Sequence, residues 1–151
     1  MRSLLTMLLV AGSHVPALAA GPLVLPIEID RTTAVILVKG EVHGRAALLI
    51  LDTGASATLF RHDLVDLGAD GLGPSAFSSE GPGLRANGRW TTATFRLGER
   101  TWFHRKVVGM RLDEVSRAVR RDIDGILGQD LLREFRSVTI DFDAKEVRLT
   151  P

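Results

Sequence analysis

One acidic residue stands at the end of an apolar run, in the stretch LLILDTGASATLF at residues 48–60. Asp52 is followed there by Thr53 and Gly54, which are ordinary turn formers, so the triplet could simply end a strand. The apolar residues before it, however, predict burial, and a buried carboxylate is costly unless it is paired, hydrogen-bonded or protonated. A carboxyl group held in that way can serve as a general acid or base. Asp52 is therefore the first candidate for chemistry.

A second stretch, DGILGQDLLREF at residues 124–135, also joins glycines to apolar residues. Gly125 and Gly128 frame an Ile-Leu pair, which indicates the end of a strand. The spacing of the apolar residues that follow predicts a short helix. Asp124 and Asp130 flank the glycines, and their ordinary interpretation is capping of a turn and a helix.

Other catalytic chemistry finds little support. The chain has no Cys, which excludes a thiolate nucleophile, a zinc-thiolate site and a disulfide framework. His43, His62 and His104 lack close metal-ligand spacing, and Ser56 has no Gly-x-Ser-x-Gly frame. We therefore expect no metal and no cofactor. Trp90 and Trp102 could line a groove, but core or edge packing is the better interpretation.

The first twenty residues have the layout of a secretory signal peptide. A basic Arg2 precedes an apolar stretch at residues 4–11, and small residues end the segment. The apolar run is too short for a membrane span, which needs roughly 20 apolar residues. We expect cleavage after Ala19 or Ala20, export to the periplasm or medium, and one folded domain over residues 21–151. One of the 19 basic residues, Arg2, would be removed, so the mature chain is formally neutral against its 18 acidic residues and gives no sign of nucleic-acid binding.

The elements that position Asp52 are predicted to be mostly strands. Residues 35–42 and 45–51 form two arms around His43-Gly44, which predicts a hairpin that delivers Asp52 at its end. Residues 59–68 suit one short helix or turn, and 71–88, rich in Gly, Ser and Pro, predict a long loop or mobile hairpin tip.

The second half of the chain repeats the strand pattern. The side chains of residues 89–98 fit strict alternation between two faces, which predicts a half-buried strand. A turn at 98–100 leads into the next strand. Residues 111–122 are polar and predict a short exposed helix or an irregular excursion. Residues 137–150 predict a final hairpin.

Together, the stretches at 48–60 and 124–135 resemble the paired signature of retropepsin-like aspartic peptidases, particularly the small secreted or periplasmic bacterial forms. The resemblance covers most of residues 21–151. It implies an all-β fold: a retropepsin-like closed β-barrel with one short helix in the C-terminal half and one lobe per chain. It further implies an aspartic endopeptidase that acts on polypeptides as a homodimer, since no second Asp-Thr-Gly or Asp-Ser-Gly occurs.

The resemblance also implies roles for individual residues. Asp52 would activate a water molecule, in an active-site loop that includes Thr53, Gly54 and Ala55. The loop packed behind this turn would consist of Ile126, Leu127 and Gly128. A flap over the substrate would include Gly81, Gly83, Ala86, Asn87 and Gly88.

Two positions depart from the retroviral pattern. Ser56 and Gln129 stand where retroviral members carry an Asp and an Arg that bond to each other. Because both charged partners are missing together, no charge is left unpaired, and the chain resembles the bacterial branch. Two alternatives remain open: a non-catalytic peptide-binding or scaffold domain on the same fold, and a monomeric β-barrel with an internal ligand pocket.

Overall fold

The structure is a computed structural model that describes residues 21–68, 77–81 and 84–151, with side chains for residues 21–68 and 87–151. The predicted signal peptide lies outside the described residues. The elements, in chain order, are β1 (Leu23–Ile29), β2 (Ile36–Val42), β3 (Arg45–Leu51), β4 (Leu59–Arg61), β5 (Phe77–Gly81), β6 (Leu84–Leu97), β7 (Arg100–Met110), α1 (Asp113–Val119), β8 (Gly125–Leu127), α2 (Gln129–Leu132), β9 (Ser137–Asp141) and β10 (Glu146–Thr150).

Six of these strands close into a barrel. They pair in the order β6, β7, β4, β8, β3 and β2, and a further pairing of β2 with β6 completes the ring. Outside the ring, β5 extends β6, while β1, β10 and β9 continue from β2. The predicted all-β closed barrel is confirmed, with two short helices in the described residues where one was expected. None of the helices in the described ranges is long and apolar enough to cross a membrane.

The hairpin that carries Asp52 forms as predicted. Strands β2 and β3 pair from Leu37 with Ile50 to Val42 with Arg45. His43 and Gly44 between them have positive φ angles of 48° and 77°. Two consecutive positive φ angles match the right-handed twist of the strands, which explains why a Gly stands at the second position.

Two apolar clusters cover opposite faces of β3. Leu49 and Leu51 belong to the larger cluster inside the barrel, where Phe95 stacks on Trp102 with ring centroids 5.2 Å apart. Ile50 belongs to a second cluster beneath α1. Because successive side chains of a strand point to opposite faces, Asp52 follows β3 on the same face as Ile50.

Three predicted segments differ from the structure. Residues 59–68 hold no helix: β4 pairs with β7 in parallel and with β8, followed by turns. Within residues 71–88, β5 and the start of β6 form an antiparallel hairpin, and residues 69–76 and 82–83 lie outside the description. Residues 113–119 do form a helix, but its Val119 is buried in the second cluster, so α1 is not a purely exposed element.

Candidate active site

Asp52 lies directly beside the second motif. Strands β3 and β8 run parallel, with Leu51 opposite Leu127. The Asp52 backbone N–H then donates to the Leu127 carbonyl oxygen at 3.1 Å. Two stretches separated by more than seventy positions in the chain are thereby joined at one end of the barrel sheet.

The turn after Asp52 positions its carboxylate. The Gly54 N–H donates to Asp52 Oδ1 at 2.7 Å. The Ala55 N–H donates to the Asp52 carbonyl oxygen at 3.3 Å. A Cβ atom on residue 54 would stand 3.1 Å from Oδ1, so a larger residue there would require the Asp52 carboxylate to shift. Within the described part of the chain, Oδ2 of Asp52 has no hydrogen-bond partner.

The carboxylate is more open than the apolar run predicts. Asp52 is half-buried in the single chain, and Thr53 and Gly54 next to it are exposed. Leu49, Ile50 and Leu51 at the end of β3 are buried because both faces of the strand are covered there, but this cover ends with the strand. Part of the site therefore faces outward from one protomer.

Gly128 lies immediately behind the turn that follows Asp52. A Cβ atom on this residue would be 2.5 Å from both the carbonyl carbon and the carbonyl oxygen of Ala57, so no larger residue fits. Ile126 and Leu127, which were expected in a loop, form β8, with Leu127 buried and Ile126 half-buried. The next residue, Gln129, donates its backbone N–H to the Ala55 carbonyl oxygen at 2.8 Å.

A buried polar contact joins the two motifs and was not predicted. Thr58 is 1% exposed and is the one fully buried polar side chain among those described. Its Oγ1 accepts a hydrogen bond from the Gly128 N–H at 3.2 Å and donates to Asp130 Oδ1 at 2.8 Å. The available signal was a lone Thr between apolar residues in the stretch ATLF.

The side chain of Gln129 holds the loop from within the chain. Its Nε2 donates to the Thr53 carbonyl oxygen at 2.6 Å, and its Oε1 accepts from Arg133 Nη2 at 2.6 Å. Ser56, the other departure from the retroviral pattern, is exposed. The sequence identified Gln129 as a difference from the retroviral pattern but did not predict its contact with Thr53.

Helix α2, which begins at Gln129, is fastened to strand β7. Arg105 Nη2 donates to the Asp130 carbonyl oxygen at 3.1 Å, and its Nη1 lies 2.5 Å from Glu134 Oε1. Trp102 Nε1 donates to the other Glu134 oxygen at 2.9 Å. These contacts connect α2 and the residues just after it to strand β7, next to the residues that bond the Asp52 turn.

The predicted flap residues belong to the hairpin of β5 and β6. Gly81 pairs with Leu84 next to its tip, and Gly88 pairs with Phe77. Asn87 is exposed and Gly88 is buried, Ala86 lies in β6, and Gly83 falls outside the described residues. Around the closed barrel, β7, β4 and β8 stand between this hairpin's β6 and strand β3 in one direction, and β2 alone stands between them in the other.

The remaining candidates are not gathered into a site. Among the described residues, no group of three or more His, Cys, Asp or Glu side chains could hold a metal ion. Trp102 is buried in the barrel core, whereas Trp90 is exposed, with Lys106 Nζ 4.5 Å from the centroid of its ring.

Comparison with known proteins yields structural neighbours only. No family model and no curated protein matches the chain. It is similar to a retropepsin-like aspartic protease from Rickettsia conorii, with 18% identity and a TM-score of 0.49 over 85% of this chain and 90% of that one. It is also similar to the retroviral protease-like domain of Ddi1 from Leishmania major, with 16% identity and a TM-score of 0.44 over 76% and 93% of the two chains.

Proposed function

We propose that the protein is an aspartic endopeptidase that acts as a homodimer, with one Asp52 from each chain. The observation that supports this most directly is the state of the Asp52 carboxylate. The Gly54 N–H fixes its Oδ1 at 2.7 Å, while Oδ2 has no partner among the described residues. A carboxylate that is positioned on one side and open on the other is suited to bind a water molecule and exchange a proton with it.

The proposed mechanism needs two chains because each chain supplies only one catalytic Asp. The sequence contains a single Asp-Thr-Gly and no Asp-Ser-Gly. Thr53 and Gly54 are exposed in the single chain, as an interface between two such loops requires. Two facing carboxylates cannot both carry a negative charge cheaply, so in the proposed dimer the two Asp52 side chains would share one proton.

Because the pair holds one proton, one Asp52 can act as the general base and the other as the general acid in peptide hydrolysis. The ionised Asp52 takes a proton from water while the water oxygen attacks the carbonyl carbon of the substrate. The protonated Asp52 of the second copy donates its proton to the carbonyl oxygen. When the tetrahedral intermediate collapses, the first Asp52 gives the proton it took from water to the nitrogen of the leaving group, and the C–N bond breaks. The second Asp52 takes back a proton from a hydroxyl of the intermediate, so the products are a carboxylic acid and an amine and the pair again holds one proton.

The test is cleavage of an extended-peptide library by the purified protein, with and without a pepstatin-like inhibitor. Asp52→Asn should abolish hydrolysis and leave the fold intact or more stable, because a catalytic acid tends to be held at a cost to stability. Asp143→Asn, in the exposed turn between β9 and β10, is the matched control. Equal turnover by the Asp52→Asn protein would exclude this mechanism. Peptide binding without cleavage by a wild-type dimer would instead favour the scaffold alternative.

Dilution tests the requirement for two chains. Specific activity should fall below the dimer dissociation constant, as mass action requires. Activity that is independent of dilution, in a protein shown by sedimentation to be monomeric, would contradict the shared site.

We also propose that this activity is exported, on the basis of the leader-like residues 1–20. Fractionation followed by N-terminal sequencing should find a mature chain that begins at Ala20 or Gly21. Recovery of the uncleaved chain in the cytoplasm would contradict export.

A further inference from the structure

The orientation of the Gln129 carboxamide is determined by its two partners. An Arg guanidinium can only donate hydrogen bonds and a backbone carbonyl can only accept them. Since Arg133 Nη2 lies 2.6 Å from one end of the amide and the Thr53 carbonyl oxygen 2.6 Å from the other, only one orientation satisfies both. Nε2 therefore points at the catalytic turn as a donor.

We propose that Gln129 is a positioning residue for Asp52, an inference that rests on the proposed function. Thr53 is the residue between Asp52 and the Gly54 N–H that fixes its carboxylate, so a shift of the Thr53 carbonyl turns both neighbours. Within the described residues, residues 52–54 make three other hydrogen bonds. One joins the Asp52 N–H to Leu127 in the strand ladder, and the other two are local bonds within the turn, from the Gly54 and Ala55 N–H groups to Asp52. Gln129, which is far from the turn in the sequence, is the residue whose side chain holds the turn beyond the end of β3.

The grip is double. Besides the side-chain bond to Thr53, the Gln129 backbone N–H donates to the Ala55 carbonyl oxygen at 2.8 Å. Gln129 thus bonds the carbonyl groups on both sides of Gly54. Arg105 of β7 bonds the Asp130 carbonyl oxygen within α2 and pairs with Glu134 just after the helix, so Gln129 lies on a supported helix rather than on a free loop.

A neutral donor at this position has a chemical consequence. The Gln129 amide adds no formal charge near Asp52, and the charge of Arg133 is kept on the far side of the amide. The turn is therefore held by an intrachain contact that does not titrate. This contact is present before two chains meet, so each protomer carries a preformed catalytic turn.

Gln129→Glu is the sharpest test, because it keeps the shape and the Arg133 contact but replaces the donor with an acceptor. At neutral pH the ionised Glu would face the Thr53 carbonyl, and kcat should fall about tenfold or more while KM changes less than about threefold. At acidic pH the protonated Glu can donate its O–H, so the ratio of wild-type to variant kcat should narrow. Thr139→Glu, which adds the same charge on the exposed side of β9, is the control and should show neither effect.

Arg133→Met provides a second variant in case Gln129→Glu fails to fold. It retains the donor to Thr53 and removes only the group that orients the amide, so a smaller fall in kcat is expected. Wild-type kcat in both variants, with no change in the pH profile, would overturn the proposal.

Amide hydrogen exchange tests the same contact without activity. In Gln129→Glu, exchange at the Gly54 and Ala55 amides should accelerate about tenfold, as for the loss of one hydrogen bond. Exchange at Asp52, whose N–H bonds Leu127 in the strand ladder, should remain unchanged. If the wild type hydrolyses no peptide, the proposed function fails, and the exchange result still decides whether Gln129 holds the turn. Unchanged exchange at Gly54 and Ala55 would overturn the inference, as would faster exchange with unchanged kcat in an active enzyme.

Discussion

The hydroxyl of Thr58 donates a 2.8 Å hydrogen bond to Oδ1 of Asp130 and so connects the segment after the Asp52 turn to helix α2. The same hydroxyl accepts from the Gly128 N–H at 3.2 Å. One buried side chain of the first motif therefore bonds two polar groups of the second motif in a region surrounded by apolar residues. The relative position of Asp52 and Gly128 depends on this contact as well as on the pairing of β3 with β8.

Thr58→Val should destabilise the protein by about 1 to 3 kcal/mol, because it keeps the shape but leaves the Gly128 N–H buried without a partner. Urea unfolding of the wild type and the variant measures this difference. Thr58→Ser, which retains the hydroxyl, should lower the free energy of unfolding by less than Thr58→Val. Equal unfolding midpoints for Thr58→Val and the wild type would show that the contact contributes nothing to stability.

Gly128→Ala should destabilise by about 1 to 3 kcal/mol or more, since the added methyl group would meet the Ala57 backbone at 2.5 Å and backbone cannot move as a side chain can. The matched control is Gly21→Ala, where a Cβ atom would meet nothing within 4 Å. Thermal unfolding of the two variants should separate them clearly. Similar melting temperatures would contradict the steric argument.

Thr53→Ala should weaken the proposed dimer and leave the folded single chain almost unchanged. Thr53 is exposed in the single chain, and among the described residues its hydroxyl has no hydrogen-bond partner, so it is free to bond the second copy. Loss of one such interface bond costs about 1 to 3 kcal/mol of association. Sedimentation equilibrium should show a larger dissociation constant for Thr53→Ala than for Thr53→Ser. A Thr53→Ala dimer as tight as the wild type would rule out this role.

Stability should fall in acid partly through Asp63. The hydrogen bond from Arg61 Nε, at 2.6 Å, holds the pKa of Asp63 below its ordinary value. A lowered pKa in the folded state adds stability that is present above the unfolded carboxyl pKa, about 4, and is lost as the pH falls through the folded value. Asp63→Asn should therefore be slightly less stable than the wild type at pH 7 and converge with it at strongly acidic pH. Urea midpoints measured across that range test the convergence, and a constant difference would contradict it.

The sequence by itself determined the local elements and the chemical candidates. The hairpin around His43-Gly44, the alternating strand that contains Ala93, Phe95 and Leu97, and the short helix after Gly128 were all predictable. Each rests on interactions between near neighbours in the chain: turn geometry, side-chain alternation and helical spacing. The Asp-Thr-Gly triplet identified Asp52 for the same reason, because its signal is contiguous.

Only the tertiary structure decided which distant groups meet. Strand β4 was missed because its partners, β7 and β8, lie more than thirty residues away in the chain, and three residues leave no periodic signal. The contacts of Thr58 with Asp130 and of Gln129 with Thr53 join residues more than seventy positions apart. The exposure of Asp52 was also a tertiary property, since it depends on where the cover over β3 ends. Such contacts depend on closure of the barrel, which no local pattern in the sequence encodes.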